Sequence, residues 1–288
     1  MIKRNGSLVL FTCLSQASVG ITLWFLFAQS LSSADELVLK TGLNVGNPAM
    51  LALILLGVAT LISFLHLGSP ANAPYSLSNL SGSWLSREIL AINLYLASLV
   101  LLLVLSWRAG DFISTGPWIT LATLLGLALV WMMIRVYVMP TIPSWNTWYT
   151  PLSFIFTTIS LGATIFLMLS LTGLVRIPEA IMKPLALTLV IVMLLELISS
   201  MVHQARIQKM PGGLQKPDFH QGLYFQIHVL RMVLLILCVI GMTVVYYTGF
   251  PVQGNTSNFL PVLCLALIIS QEFLGRYLFY ASYFRIGF

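Results

Sequence analysis

Charge is what this sequence has least of. Its 14 Lys or Arg and 8 Asp or Glu make up 8% of 288 residues, where a soluble domain carries about 25%. So few charges cannot cover the surface of a soluble protein of this size, which excludes soluble and disordered classes. Pro and Gly follow no period, so the chain is not collagenous. The net charge of +6 and a pI near 9.4 come without any Lys/Arg run, so no nucleic-acid patch is indicated. Cysteine is equally sparse. Cys13, Cys238 and Cys264 lie inside apolar segments without CxxC spacing, which points to small core residues rather than a disulfide framework, zinc site or iron–sulfur site. Long polar connections are missing too.

What is present is apolar sequence, 58% of the chain. Stretches long enough to cross roughly 30 Å of hydrocarbon recur at 8–30, 49–67, 88–107, 117–138, 151–171, 184–203, 228–248 and 260–283. They are continuous, without the alternation of a barrel strand. The expected fold is all-α, a single integral membrane domain of eight transmembrane helices. Pro-containing stretches punctuate expected helix ends, Pro70, Pro140, Pro143, Pro178, Pro184, Pro211 and Pro251 among them. Trp84, Trp107, Trp118, Trp145, Trp148 and Tyr149 gather at headgroup level. The apolar run behind Lys3 and Arg4 exceeds a signal-peptide core of about 7–15 residues, so it is expected to remain as the first helix. The longest connection, 204–227, is too short for a catalytic or nucleotide-binding domain.

An even number of crossings puts both tails on one face. Lys3, Arg4, Arg87, Arg206, Lys209, Lys216 and Arg285 then share that face with Asp218. Lys40, Arg108, Arg176 and Lys183 balance Asp35, Glu36, Asp111 and Glu179 opposite. Counted as Lys and Arg, the asymmetry favours tails in the cytoplasm; a docking face for an acidic partner gives the same pattern.

Ionisable groups within spans are functional candidates by default. His66 ends the second span in SFLHLGSP and Glu88 opens the third in SWLSREI, so both belong to the tail face. The Ser-, Gly- and Pro-rich connection between them can form a polar lid. A lipid-soluble carrier such as quinol needs this arrangement: an imidazole near neutrality accepts one proton and a nearby carboxylate relays it. Equally open is an interfacial His66 bonded to a backbone carbonyl, with Glu88 favoured by the helix dipole. Arg135 and Tyr137 fall near the same face; Arg135 either orients an oxygen ligand, pairs with Glu88 or snorkels. Glu272 and Arg276, four apart with Glu first, are expected to form a structural ion pair. Glu196 sits mid-span with no readable partner. His203 ends the sixth span on the same face as His66, which leaves a haem b reading open, but His220 in a connection and His228 at a span boundary do not complete a typical four-ligand set. A transporter would call for inverted repeats, and none is convincing.

HLGSP (66–70), LSREI (85–89), VWMMIRVY (130–137), IPSWNTWYTP (142–151) and EFLGRYLFY (272–280) together resemble the membrane-anchor subunit of the anaerobic dimethyl sulfoxide reductase family, in order along nearly the whole chain. Region 204–227 matches poorly, and Asn72 and Asn79 stand where the family carries basic residues, with Arg87 a candidate substitute. The resemblance implies an anchor that binds and oxidises menaquinol as its substrate, without haem or iron–sulfur cluster of its own. It implies partners: a four-cluster ferredoxin-like iron–sulfur subunit and a molybdopterin catalytic subunit reducing S- or N-oxides. The terminal reduction then happens elsewhere, not on this chain. The family's functional histidine falls on His66 and its glutamate on Glu88. The implied quinol-binding set is His66, Gly68, Ser69, Arg87, Glu88, Arg135 and Tyr137, with no metal site. The family is drawn in the bacterial cytoplasmic (inner) membrane with both tails on the outer, periplasmic face, and the reading follows it.

Overall fold

In hydrocarbon a backbone must satisfy its own hydrogen bonds, and an apolar run does so as a helix. The structure is a computed structural model and describes residues 2–31, 46–64, 77–109, 116–172, 179–210, 219, 221–249 and 259–284. Among them are eight helices: α1 Ile2–Leu31, α2 Gly46–Ser63, α3 Trp84–Ala109, α4 Gly116–Tyr137, α5 Tyr149–Leu171, α6 Glu179–Lys209, α7 Gly222–Thr248 and α8 Phe259–Ala281. Seven are long and apolar enough to cross a membrane, and α2 adds the shorter apolar stretch Pro48–Ser63. The all-α membrane fold expected from the sequence is borne out.

Four helices, α1, α3, α6 and α7, run four or more residues beyond their apolar stretches, α6 and α7 toward each other. α6 continues through QARIQK to Lys209, and α7 begins at Gly222, so the connection expected at 204–227 contracts to 210–221. Hydropathy marks where lipid ends; a helix of good formers carries on into the interface. Ile207 anchors the extension by packing with Phe219 and Phe284 in a small cluster beyond the apolar stretch. Pro184, expected at a helix boundary, lies inside α6, where it removes a single backbone bond near the N-terminal end.

α1 is the hub, packing against α2, α4, α5 and α8. Its apolar window is 78% buried and that of α5 72%, against 28–50% in the other five long spans. The most enclosed helix is also rich in polar side chains, because it meets protein rather than lipid. Ser18 donates to the Ala52 carbonyl of α2 (2.7 Å) and shares a hydrogen bond with Tyr95 of α3 (3.2 Å). Thr123 of α4 donates to the Thr22 carbonyl (3.2 Å), and Trp24 Nε1 donates to the Ile159 carbonyl of α5 (2.9 Å). Hydrogen bonds and small residues are how helices associate where the hydrophobic effect is absent. Gly20 and Gly162 bring α1 and α5 into backbone contact: a Cβ on either would fall on the other's main chain. All three cysteines are buried and free.

A second tie holds α6, α7 and α8 together. Arg231 and Glu196 form a buried ion pair. Arg231 Nη1 also donates to Tyr149 Oη and Ser200 Oγ (both 3.2 Å), and Gln271 Nε2 donates to Glu196 Oε2 (3.4 Å). Gly275 leaves the space this guanidinium occupies, since a Cβ there would stand 2.6 Å from Arg231 Cζ. The pair expected between Glu272 and Arg276 is not formed. Arg276 reaches across to α1 and α5, donating to Gln16 Oε1 (2.8 Å) and Thr157 Oγ1 (3.2 Å) with its Cζ 3.8 Å from the Phe154 ring centroid. Among the described residues neither Glu272 oxygen has a hydrogen-bond partner. Spacing of four places two side chains on one helix face but does not choose their rotamers, and interior partners on other helices outcompete the local one.

Two outcomes follow for stability in detergent. Gly162→Ala lowers the melting temperature sharply while Gly57→Ala, whose Cβ meets nothing within 4 Å, leaves it near wild type; equal melting of both would contradict the crossing. Arg231→Ala destabilises by about 3–5 kcal/mol because Glu196 is left as an uncompensated buried charge. Adding Glu196→Gln to it restores most of that loss in mixed-micelle unfolding.

Candidate functional site

The ends of α2, α4, α6 and α8 and the starts of α1, α3, α5 and α7 belong to one end of the bundle. Tyr280 donates to Tyr137 Oη (2.9 Å) and its Oη lies 3.5 Å from Thr12 Oγ1, and Trp145 Nε1 donates to the Phe279 carbonyl (2.8 Å). Tyr137, Trp145, Phe154, Phe279 and Tyr280 form one aromatic wall, with ring centroids 5.3–6.1 Å apart along its Tyr137 and Trp145 contacts. Tyr137 is therefore a buried part of this wall.

The local sequence explains the start of α3. Asn79 folds a turn by accepting from Gly82 N at Oδ1 (3.2 Å) and from Ser83 N at its carbonyl (3.1 Å). Ser83 Oγ then accepts from Ser86 N (3.3 Å), capping the helix. Successive residues next point opposite ways. Arg87 turns outward and clamps the turn, donating to the Leu80 and Ser81 carbonyls (both 2.7 Å). Glu88 turns inward, 4% exposed, with Oε1 buried and without a hydrogen-bond partner among the described residues.

Two guanidiniums sit over one indole: Arg87 Cζ is 4.1 Å and Arg135 Cζ 4.6 Å from the Trp84 ring centroid. Cation–π contact of this kind fixes a guanidinium in place. Arg135 thus rests on Trp84 and forms no ion pair with Glu88 among the described residues. Beside it opens a groove of about 620 Å³ lined by Gly82, Ser83, Trp84, Leu85, Arg135, Val136, Val138, Met139, Pro140 and Asn146. That volume is ordinary for a small-molecule site, and its lining combines apolar walls with few polar groups.

Of the residues singled out from sequence, Arg87, Glu88, Arg135 and Tyr137 converge on this end. Only Arg135 lines the groove; Arg87 holds the turn beside it, and Glu88 and Tyr137 are buried. His66, Gly68 and Ser69 lie outside the described residues, as does Asn72. Glu272 and Arg276 belong to the interior network instead. Sequence reasoning missed Trp84 and Asn146 as groove residues, although an aromatic directly before LSREI was a usable signal. His203 stacks on Tyr149 at 4.2 Å and 11°, and with His228 and Arg231 it borders an inner cavity of about 20 Å³, room for a single water.

Comparison with known proteins gives a consistent answer. The family model described as DMSO reductase anchor subunit (DmsC) matches residues 3–282. The sequence is 28% identical over 244 residues to the C subunit of the anaerobic dimethyl sulfoxide reductase of Escherichia coli, covering 81% of this protein and 80% of that one. It is 29% identical over 303 aligned positions to the YnfH subunit of an anaerobic dimethyl sulfoxide reductase of the same organism, covering 97% and 95%. A third relative, the C subunit of the anaerobic dimethyl sulfoxide reductase of Haemophilus influenzae, is 32% identical over 161 residues, 55% of this protein and 56% of that one. With its eight helices, its motif-bearing end and a match along nearly its full length, the protein belongs to the DMSO reductase anchor subunit (DmsC) family.

Proposed function

We propose that this membrane anchor binds menaquinol in the groove beside Trp84 and Arg135 and oxidises it. The observation that carries the reading is the arrangement itself: a groove of about 620 Å³ at the end of the bundle where Glu88 is buried with a carboxylate oxygen that has no partner among the described residues. In this reading an isoprenoid carrier enters the groove from the lipid. Arg135, held on Trp84, offers donors to a ring oxygen, and the Trp84 face offers a surface for the ring.

Oxidation of the quinol releases two protons and two electrons. His66, from the HLGSP motif, takes one proton as general base, and the Glu88 carboxylate takes up and relays a proton toward the aqueous side. The electrons pass to a four-cluster iron–sulfur subunit docked on this end, and from it to a molybdopterin subunit that reduces an S- or N-oxide. The named relatives are subunits of anaerobic dimethyl sulfoxide reductases, which supports that assembly. The basic balance of this end suits an acidic docking partner, and in this reading it faces the periplasm from the bacterial inner membrane.

Glu88→Gln and His66→Ala, each in the assembled complex, are expected to cut quinol-driven reduction by at least about tenfold, the effect of losing a general base. Reduction driven by a dye that bypasses the anchor stays at wild-type rate. Unchanged quinol-driven rates would sink the assignment. Arg135→Gln is expected to raise KM for a soluble quinol about tenfold, roughly 1.4 kcal/mol of binding, with kcat moving less; an unchanged KM would remove Arg135 from the site.

A further inference from the structure

α4 and α6 flank the start of α5 and leave a furrow between them at the same end of the bundle. It measures about 380 Å³ and is lined by Trp131, Ile134, Arg135, Val138, Asn146, Thr147, Trp148, Pro151 and Arg206. Two cations border it, Arg135 in the last turn of α4 and Arg206 in the last turn of α6, and no carboxylate does. Arg206 is exposed and makes no hydrogen bond or ion pair with any described residue. Thr147 is 8% exposed and its Oγ1 has no hydrogen-bond partner among the described residues, an unmet polar atom in the lining of a basic furrow. The first turn of α5, starting at Tyr149, adds the positive end of a helix dipole.

The walls say which kind of anion fits. Trp131 and Trp148 are exposed, and such rings belong at the depth where headgroup meets acyl chain. Away from the cations, Ile155 on α5 and Ile198 and Val202 on α6 are exposed apolar residues. Charge on one side and hydrocarbon on the other match an amphiphile, not a free anion. We propose that this furrow binds an anionic phospholipid, its phosphodiester held between Arg206, Arg135 and Thr147 and its acyl tails laid along Trp131 and α6. Basic pockets between transmembrane helices recognise such headgroups. Because Arg135, Val138 and Asn146 also line the larger groove, the lipid forms one flank of that groove's wall. The proposal does not depend on what the larger groove binds.

The test uses the complete complex purified in non-ionic detergent, loaded from nanodiscs of equal phosphatidylglycerol and phosphatidylethanolamine, and read by native mass spectrometry. Wild type is expected to retain phosphatidylglycerol selectively, and excess inorganic phosphate does not displace it. Arg206→Gln lowers the retained phosphatidylglycerol about fivefold, the effect of one cation at a lipid surface, and Thr147→Val lowers it as well. Arg206→Lys keeps the charge and keeps most of the lipid, which separates recognition from misfolding. Retention without headgroup preference, or equal retention by Arg206→Gln, overturns the proposal. So does an Arg206→Gln complex that keeps its lipid and loses its iron–sulfur subunit, because the furrow is then a protein contact.

Discussion

A polar side chain surrounded by acyl tails has no water to fall back on, so polar groups at membrane depth favour the protein interior, where partners are within reach. This constraint sorts the bundle. α1, with Ser15, Gln16, Ser18 and Thr22 enclosed, occupies the centre, while α7, with the least buried apolar window, lies against lipid. The interior is itself mainly apolar, with these polar side chains set among buried Ala, Leu, Ile and Phe residues. Four of the buried charges, Arg231, Arg276, Glu196 and Glu272, cancel in sum. Arg231, Glu196 and Arg276 draw α1, α5, α6, α7 and α8 together through bonds that lipid cannot replace.

The same constraint shapes the site. Arg87 and Glu88 are neighbours in sequence, yet one reaches out to the turn carbonyls and the other turns into the bundle. The outward cation fixes the entrance to α3. The inward carboxylate is buried, and its Oε1 has no hydrogen-bond partner among the described residues. Trp84 joins the two halves of the groove by carrying Arg87 and Arg135 on its ring.

Helix number and position were legible in the sequence because the lipid solvent demands long apolar runs. The ends of α6 and α7 were not, since QARIQK and LYFQIH form helix without being apolar, and only the packing of Ile207 on Phe219 and Phe284 shows where α6 is held. The gathering of Arg87, Glu88, Arg135 and Tyr137 at one end followed from counting crossings. Their separate tasks did not, because one turn of helix decides whether a side chain meets carbonyls, an indole or the interior. The Glu272–Arg276 pairing failed for a related reason: a local rule ranks neighbours on one helix, and Gln16 and Thr157 on other helices were the better partners. Glu196 and Arg231 stand on either side of one short connection, so a hairpin register for α6 and α7 would have brought them within reach.

The central claim, that quinol is oxidised at this end of the bundle, is met most directly by photolabelling the assembled complex with an azido-menaquinone and sequencing the labelled peptides. The account predicts label within 82–88 and 135–146, suppressed by excess menaquinone. Label confined to the far end of the bundle, or to the exposed faces of α6 and α7 without suppression, would contradict it.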